Sequence, residues 1–115
     1  MEYCTLDQIK LRLEIDPTET TWDNQLTSIR VEVEQEIDTK LKNYITVPLT
    51  GTIPGPIQTA CAELTAIDWR LPKAPSPDAA THLKTLREIA IAKLEKYIDE
   101  TYGEEIAFIV GVDTS

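Results

Sequence analysis

The sequence predicts an all-α fold: a small bundle of about four helices, with an extended loop between helices two and three and an extended C-terminal tail. Three observations lead there. Four segments place apolar residues at three- and four-residue steps, the repeat of one helical face. These segments begin and end on helix punctuation, with capping residues or proline at the start and proline or glycine at the end. The 115 residues are 42% hydrophobic, enough for one modest core and too few for a second catalytic domain. The expected organisation is a helical domain over 1–103, with a loop at 43–56 and a linker at 72–77, then a tail at 104–115.

The first helix starts at Thr5, which has the capping-box spacing to Gln8. Leu6, Ile9 and Leu13 share a face flanked by Leu11 and Ile15, and Pro17 disfavours helical geometry at Asp16. The second runs from about Thr21 to Lys42, with Trp22, Leu26, Ile29, Val33, Ile37 and Leu41 as its apolar stripe. Glu32, Glu34, Glu36 and Asp38 are read as its opposite, solvated face. The third opens near Pro56 and carries Ile57, Ala60, Cys61, Leu64, Ile67 and Leu71, its small residues allowing a close helix neighbour. The stiff, proline-rich stretch 72–77 ends it. The fourth has Ser76 as N-cap, Pro77 in its first turn and Gly103 as C-cap. Its face is Leu83, Leu86, Ala90, Leu94 and Tyr97, widened by Ile89, Ile91 and Ile98.

Two irregular segments stand out. The loop 43–56 combines prolines and glycines with Tyr44, Ile45, Val47, Leu49 and Ile53. Apolar residues on a long exposed loop predict a partner surface. The tail carries Ile106, Phe108, Ile109, Val110 and Val112, a β-prone run with no obvious pairing strand in the chain. It is read as a docking tail for a partner's sheet or groove, with packing on its own helices as the alternative.

Net charge −9, spread evenly along the chain, argues against a free nucleic-acid binder and against docking on an anionic membrane. No stretch approaches the ~20 apolar residues of a membrane span, and the N-terminus lacks a secretion-signal layout. The expectation is a chain made in the cytoplasm with Cys4 and Cys61 reduced and buried. His82 is the single histidine, so no zinc cluster is spaced in the sequence. No Gly-x-Ser-x-Gly and no glycine-rich phosphate loop occurs. Carboxylates such as Glu32 and Glu36 sit where nothing would separate their pKa values. No enzyme activity, metal or cofactor is expected.

The order of parts resembles the small head–tail connector proteins of tailed bacteriophages, also called adaptor or head-completion proteins. The likeness begins at Tyr3-Cys4-Thr5-Leu6-Asp7-Gln8-Ile9-Lys10-Leu11-Arg12-Leu13 and continues at Trp22-Asp23-Asn24-Gln25-Leu26. It passes through the proline-containing loop and Thr59-Ala60-Cys61-Ala62-Glu63-Leu64, then Asp68-Trp69-Arg70, and ends with the last helix, covering about residues 3–102. The resemblance implies a virion protein of the neck that forms a ring, usually of twelve copies, under the portal protein. Such a ring extends the DNA channel, lets DNA pass without specific binding, and receives the next neck, stopper or tail protein. The tail 104–115 would then dock on the portal, and the loop would contact neighbouring copies or the next protein. The stripe Glu32, Glu34, Glu36 and Asp38 would be a candidate for the lumen. The alternative is a small acidic helical module that occupies a basic groove on another protein. An enzyme subunit completed by a partner ranks lowest.

Overall fold

The computed structural model describes residues 2–103. They form four α-helices and no strand: α1 (Leu6–Leu13), α2 (Asp23–Leu41), α3 (Gly55–Arg70) and α4 (Pro77–Ile98). A 3₁₀ turn, Leu71–Lys73, follows α3, and a single π turn, Asp99–Gly103, extends α4. The tail residues Ile106, Phe108, Ile109, Val110 and Val112 lie outside the described residues.

The local signals explain the helix starts. Thr5 Oγ1 accepts from the Gln8 N–H at 3.1 Å while Gln8 Oε1 accepts from the Thr5 N–H at 2.7 Å. This reciprocal pair satisfies two donors that a helix start leaves free. Ser76 Oγ accepts from the Ala79 N–H at 3.1 Å at the head of α4, and Pro77 fills the position where a missing N–H costs little. Two ends fall elsewhere than expected. Glu14 adopts a left-handed φ of 59°, so α1 stops before Pro17 acts. The Ile15 N–H then donates back to the Lys10 carbonyl at 2.9 Å. Gly103 is not a left-handed cap. It sits in the π turn, where a Cβ would lie 2.8 Å from Asp99 Oδ1.

α3 is the hub, packing against α1, α2 and α4. It buries Ile57, Leu64, Ile67 and Trp69, and between them Ala60, Cys61, Ala62, Thr65 and Ala66. A helix buried on nearly every side belongs in the middle of a bundle, and its small residues let neighbours approach. α2 contributes Leu26, Val33, Ile37 and Leu41, and α4 contributes Ala90, Leu94 and Ile98. At one end of the bundle Trp22 tilts on Trp69 with ring centroids 5.4 Å apart. Lys73 Nζ stands 3.5 Å above the Trp69 ring, a cation–π contact.

Two apolar expectations change. On α1, Leu11 is 79% exposed, because it lies off the face defined by Ile9. On α4, Leu86 and Ile89 are 38% and 47% exposed, because both line an open hollow beside α3 rather than a packed seam.

Removing core volume should report this arrangement. Leu94→Ala is expected to destabilise the fold by about 2–5 kcal/mol in urea denaturation. Leu11→Ala should change it by less than about 0.5 kcal/mol.

Candidate interaction surface

The N-terminal segment is the organising feature of one side of the molecule. Tyr3 is 1% exposed. Its backbone N–H donates to Glu34 Oε2 at 2.7 Å, its hydroxyl donates to Asp38, and the Leu49 N–H donates to that hydroxyl at 2.8 Å. Burial first, and then the bond to Asp38, push the Tyr3 hydroxyl up to about 12. Arg30 is buried beside it. It donates to the Cys4 carbonyl at 3.4 Å and pairs with Glu2 at 3.3 Å and with Glu34 at 3.9 Å. A buried carboxylate and a buried guanidinium are tolerable because each has a partner.

These contacts overturn the reading of Glu32, Glu34, Glu36 and Asp38 as one solvated stripe. Residues two apart on a helix are turned by about 200°, so four acids at that spacing alternate between two sides. Glu32 is exposed. Glu34 and Asp38 hold Tyr3, and Glu36 points to α4. There Arg87 Nη2 lies 2.6 Å from Glu36 Oε1 and Arg87 Nε lies 2.8 Å from Asp68 Oδ1. The guanidinium thus ties α2, α3 and α4 together through planar, forked donors. Arg87 in turn holds the Glu36 carboxyl below the usual carboxylate range.

The loop is also corrected. Tyr44, Ile45, Val47 and Leu49 are half-buried against the core, and Ile53 is part of it. The physical reason lies in the Tyr3 hydroxyl, which captures the Leu49 N–H, and in Gln58, whose Nε2 donates to the Ile53 carbonyl at 2.7 Å. Burying these side chains against the bundle is favourable in itself.

Elsewhere the chemistry is internal. Lys10 is 2% exposed, and its Nζ sits 2.8 Å from Asp23 Oδ1 and 3.2 Å from the Pro17 carbonyl, which ties α1 to the head of α2. Cys4 and Cys61 meet in the core with sulfurs 2.9 Å apart, both as free thiols. That contact, and then burial, push the Cys61 thiol far up, so it stays protonated. Among the described residues no three histidine, cysteine or carboxylate side chains gather as a metal site, and His82 is exposed on α4. No helix among them is long and apolar enough to cross a membrane.

One of several open hollows among the described residues is a trough of about 340 Å³ between α1, α3 and α4. Leu86, Ile89 and Ala90 are apolar on its α4 side, and Arg12, Arg70 and Lys93 are its cations. A second hollow of about 270 Å³, lined by Pro56, Thr59, Ala60 and Leu94, continues it and shares Glu63, Ala90 and Lys93.

Sequence reasoning missed Tyr3, Lys10, Arg30 and Arg87. For the N-terminus a signal existed: Cys4 directly before the cap and Ile9 at the fourth helical position match a hydrophobic staple, and both lie in the core. For Lys10, Arg30 and Arg87 no local pattern distinguishes an ion-paired cation from a solvated one. Comparison with protein-family models, curated proteins and solved structures found no match to this chain.

Tyr3→Phe deletes one hydroxyl with two partners and should cost about 1–3 kcal/mol, read by urea denaturation at neutral pH. Stability should also depend on pH at both ends. Tyr3 is raised from 10 to about 12, so its contribution is complete below pH 10 and is lost as pH rises from 10 towards 12. Tyr3→Phe should flatten that alkaline limb. Glu36 is lowered from 4.5, so its contribution is present above pH 4.5 and fades as pH falls through the depressed value. Glu36→Gln should make the acid limb shallower.

Proposed function

We infer that this chain is a structural connector of the bacteriophage neck, a ring-forming adaptor under the portal that joins the capsid to the tail and extends the DNA channel. The observation that carries the reading is the order of elements. A short capped helix, a long helix, a pinned proline-containing loop, a small-residue central helix and a long last helix occur in the sequence order of the resemblance. An acidic surface suits a conduit through which DNA slides, since cations would retain phosphates. In a ring, lumen charge would come from exposed acids such as Glu32, because Glu34, Glu36 and Asp38 are engaged within the protomer. Neighbour contacts would fall on exposed apolar residues such as Leu11, Val31, Leu86 and Ile89 rather than on the inward side chains of the loop. A head-to-tail ring requires two complementary faces on each protomer.

The test is co-sedimentation with a portal-type ring protein encoded beside this chain. Full-length protein should bind in many copies per ring, and a version ending at Gly103 should not. Failure of the full-length chain to bind would instead favour an acidic module acting as one or two copies, whose binding weakens steeply with salt.

A further inference from the structure

The trough between α3 and α4 is a surface that the described residues leave uncovered. Of its large apolar side chains Ile67 is buried, while Ile89 and Leu86 are 47% and 38% exposed, on a helix that buries Ala90, Leu94 and Ile98. In a chain of net charge −9, three cations, Arg12, Arg70 and Lys93, line this one depression. Among the described residues Glu63 is the only carboxylate lining it, and it pairs with Arg12 at 3.7 Å. Lys93 makes no ion pair among the described residues. The matching ligand is a short apolar segment with acids on both sides.

The chain itself carries such a segment. Glu104 and Glu105 precede the apolar run Ile106-Ala107-Phe108-Ile109-Val110-Gly111-Val112, and Asp113 follows it, with no basic residue between 104 and 115. The described chain ends at Gly103, beyond the Leu94 end of the trough. Counted along the helix axis at 1.5 Å per residue, Leu94 lies about 14 Å back and Leu86 about 26 Å back. Residues 104–112 span up to about 30 Å when extended, enough to run back along the trough. A segment running that way would set Glu104 and Glu105 towards Lys93, and Asp113 towards Arg70.

We propose that residues 104–115 dock back into the α3–α4 trough of the same chain, covering Leu86 and Ile89 and pairing their flanking acids with Lys93, Arg70 and Arg12. A tether this short gives the segment an effective concentration in the millimolar range, which favours its own groove over that of another copy. A partner that recruits this segment must therefore lift it first. The inference stands on the trough and the segment alone and does not require the adaptor reading.

Hydrogen exchange of the full chain, read by mass spectrometry at low salt, tests it. Amides of 106–112 should exchange at least ten-fold more slowly than an unstructured peptide of the same sequence, equally at low and high protein concentration. Ile89→Asp should abolish that protection, and so should Lys93→Glu with Arg70→Glu. Both sets alter exposed side chains, and circular dichroism checks that their helices persist. Adding Glu104→Lys and Glu105→Lys to Lys93→Glu should restore protection lost by Lys93→Glu alone. Free exchange of 106–112 in the unaltered chain would overturn the proposal, as would protection that survives the trough variants. Protection that grows with concentration alongside a dimer mass would also overturn it, by assigning the trough to a second copy.

Discussion

The fold of this chain depends on where Tyr3 goes. A buried phenol needs partners for its hydroxyl, and a buried backbone N–H needs an acceptor. Asp38, Leu49 and Glu34 meet those needs from α2 and from the loop. The consequences spread outward. The loop between α2 and α3 is drawn against the core, so its apolar residues become part of the interior. Two acids of α2 face inward, and Arg30 is buried with them to balance the charge. Cys4 follows Tyr3 into contact with Cys61 at the middle of α3. One three-residue stretch ahead of a short helix thereby joins α1, α2, the loop and α3.

Arg87 does the corresponding work on the far side. Its two carboxylate partners come from α2 and α3, and all three groups remain partly exposed, so salt and solvent weaken each pair. Its value is geometric, since a planar fork accepts two carboxylates only in a restricted orientation. It fixes how the less buried N-terminal half of α4 sits over the bundle, while Ala90, Leu94 and Ile98 anchor the other half by burial. Between those two modes of attachment α4 leaves the trough open on the α1 side.

These features bear on function by elimination and by placement. Most residues that looked available for partners, in the loop and at Glu34, Glu36 and Asp38 of the acidic run of α2, are committed to the protomer. Residues that looked like core, Leu86 and Ile89, are left exposed by the described residues. Any interaction role is thus shifted from the loop side of the molecule to the α3–α4 side and to exposed residues such as Leu11 and Val31.

The sequence by itself determined the helical class, the existence and order of the four helices and both side-chain N-caps. Those properties rest on local repeat, capping and proline chemistry, which act within a few residues. The core residues Ile9, Leu26, Val33, Ile37, Leu41, Ile57, Leu64 and Leu94 were legible for the same reason. Only the tertiary structure decided that α3, with its alanines, is the hub, that Lys10, Arg30 and Arg87 are ion-paired, and that the loop turns inward. Each of those outcomes is a contact between residues far apart in the chain, and no local pattern encodes which distant partner a charge or a loop will meet. The acidic run shows the difference within four residues. Composition marked Glu32, Glu34, Glu36 and Asp38 alike, while helical rotation and the positions of Tyr3 and Arg87 gave them separate tasks.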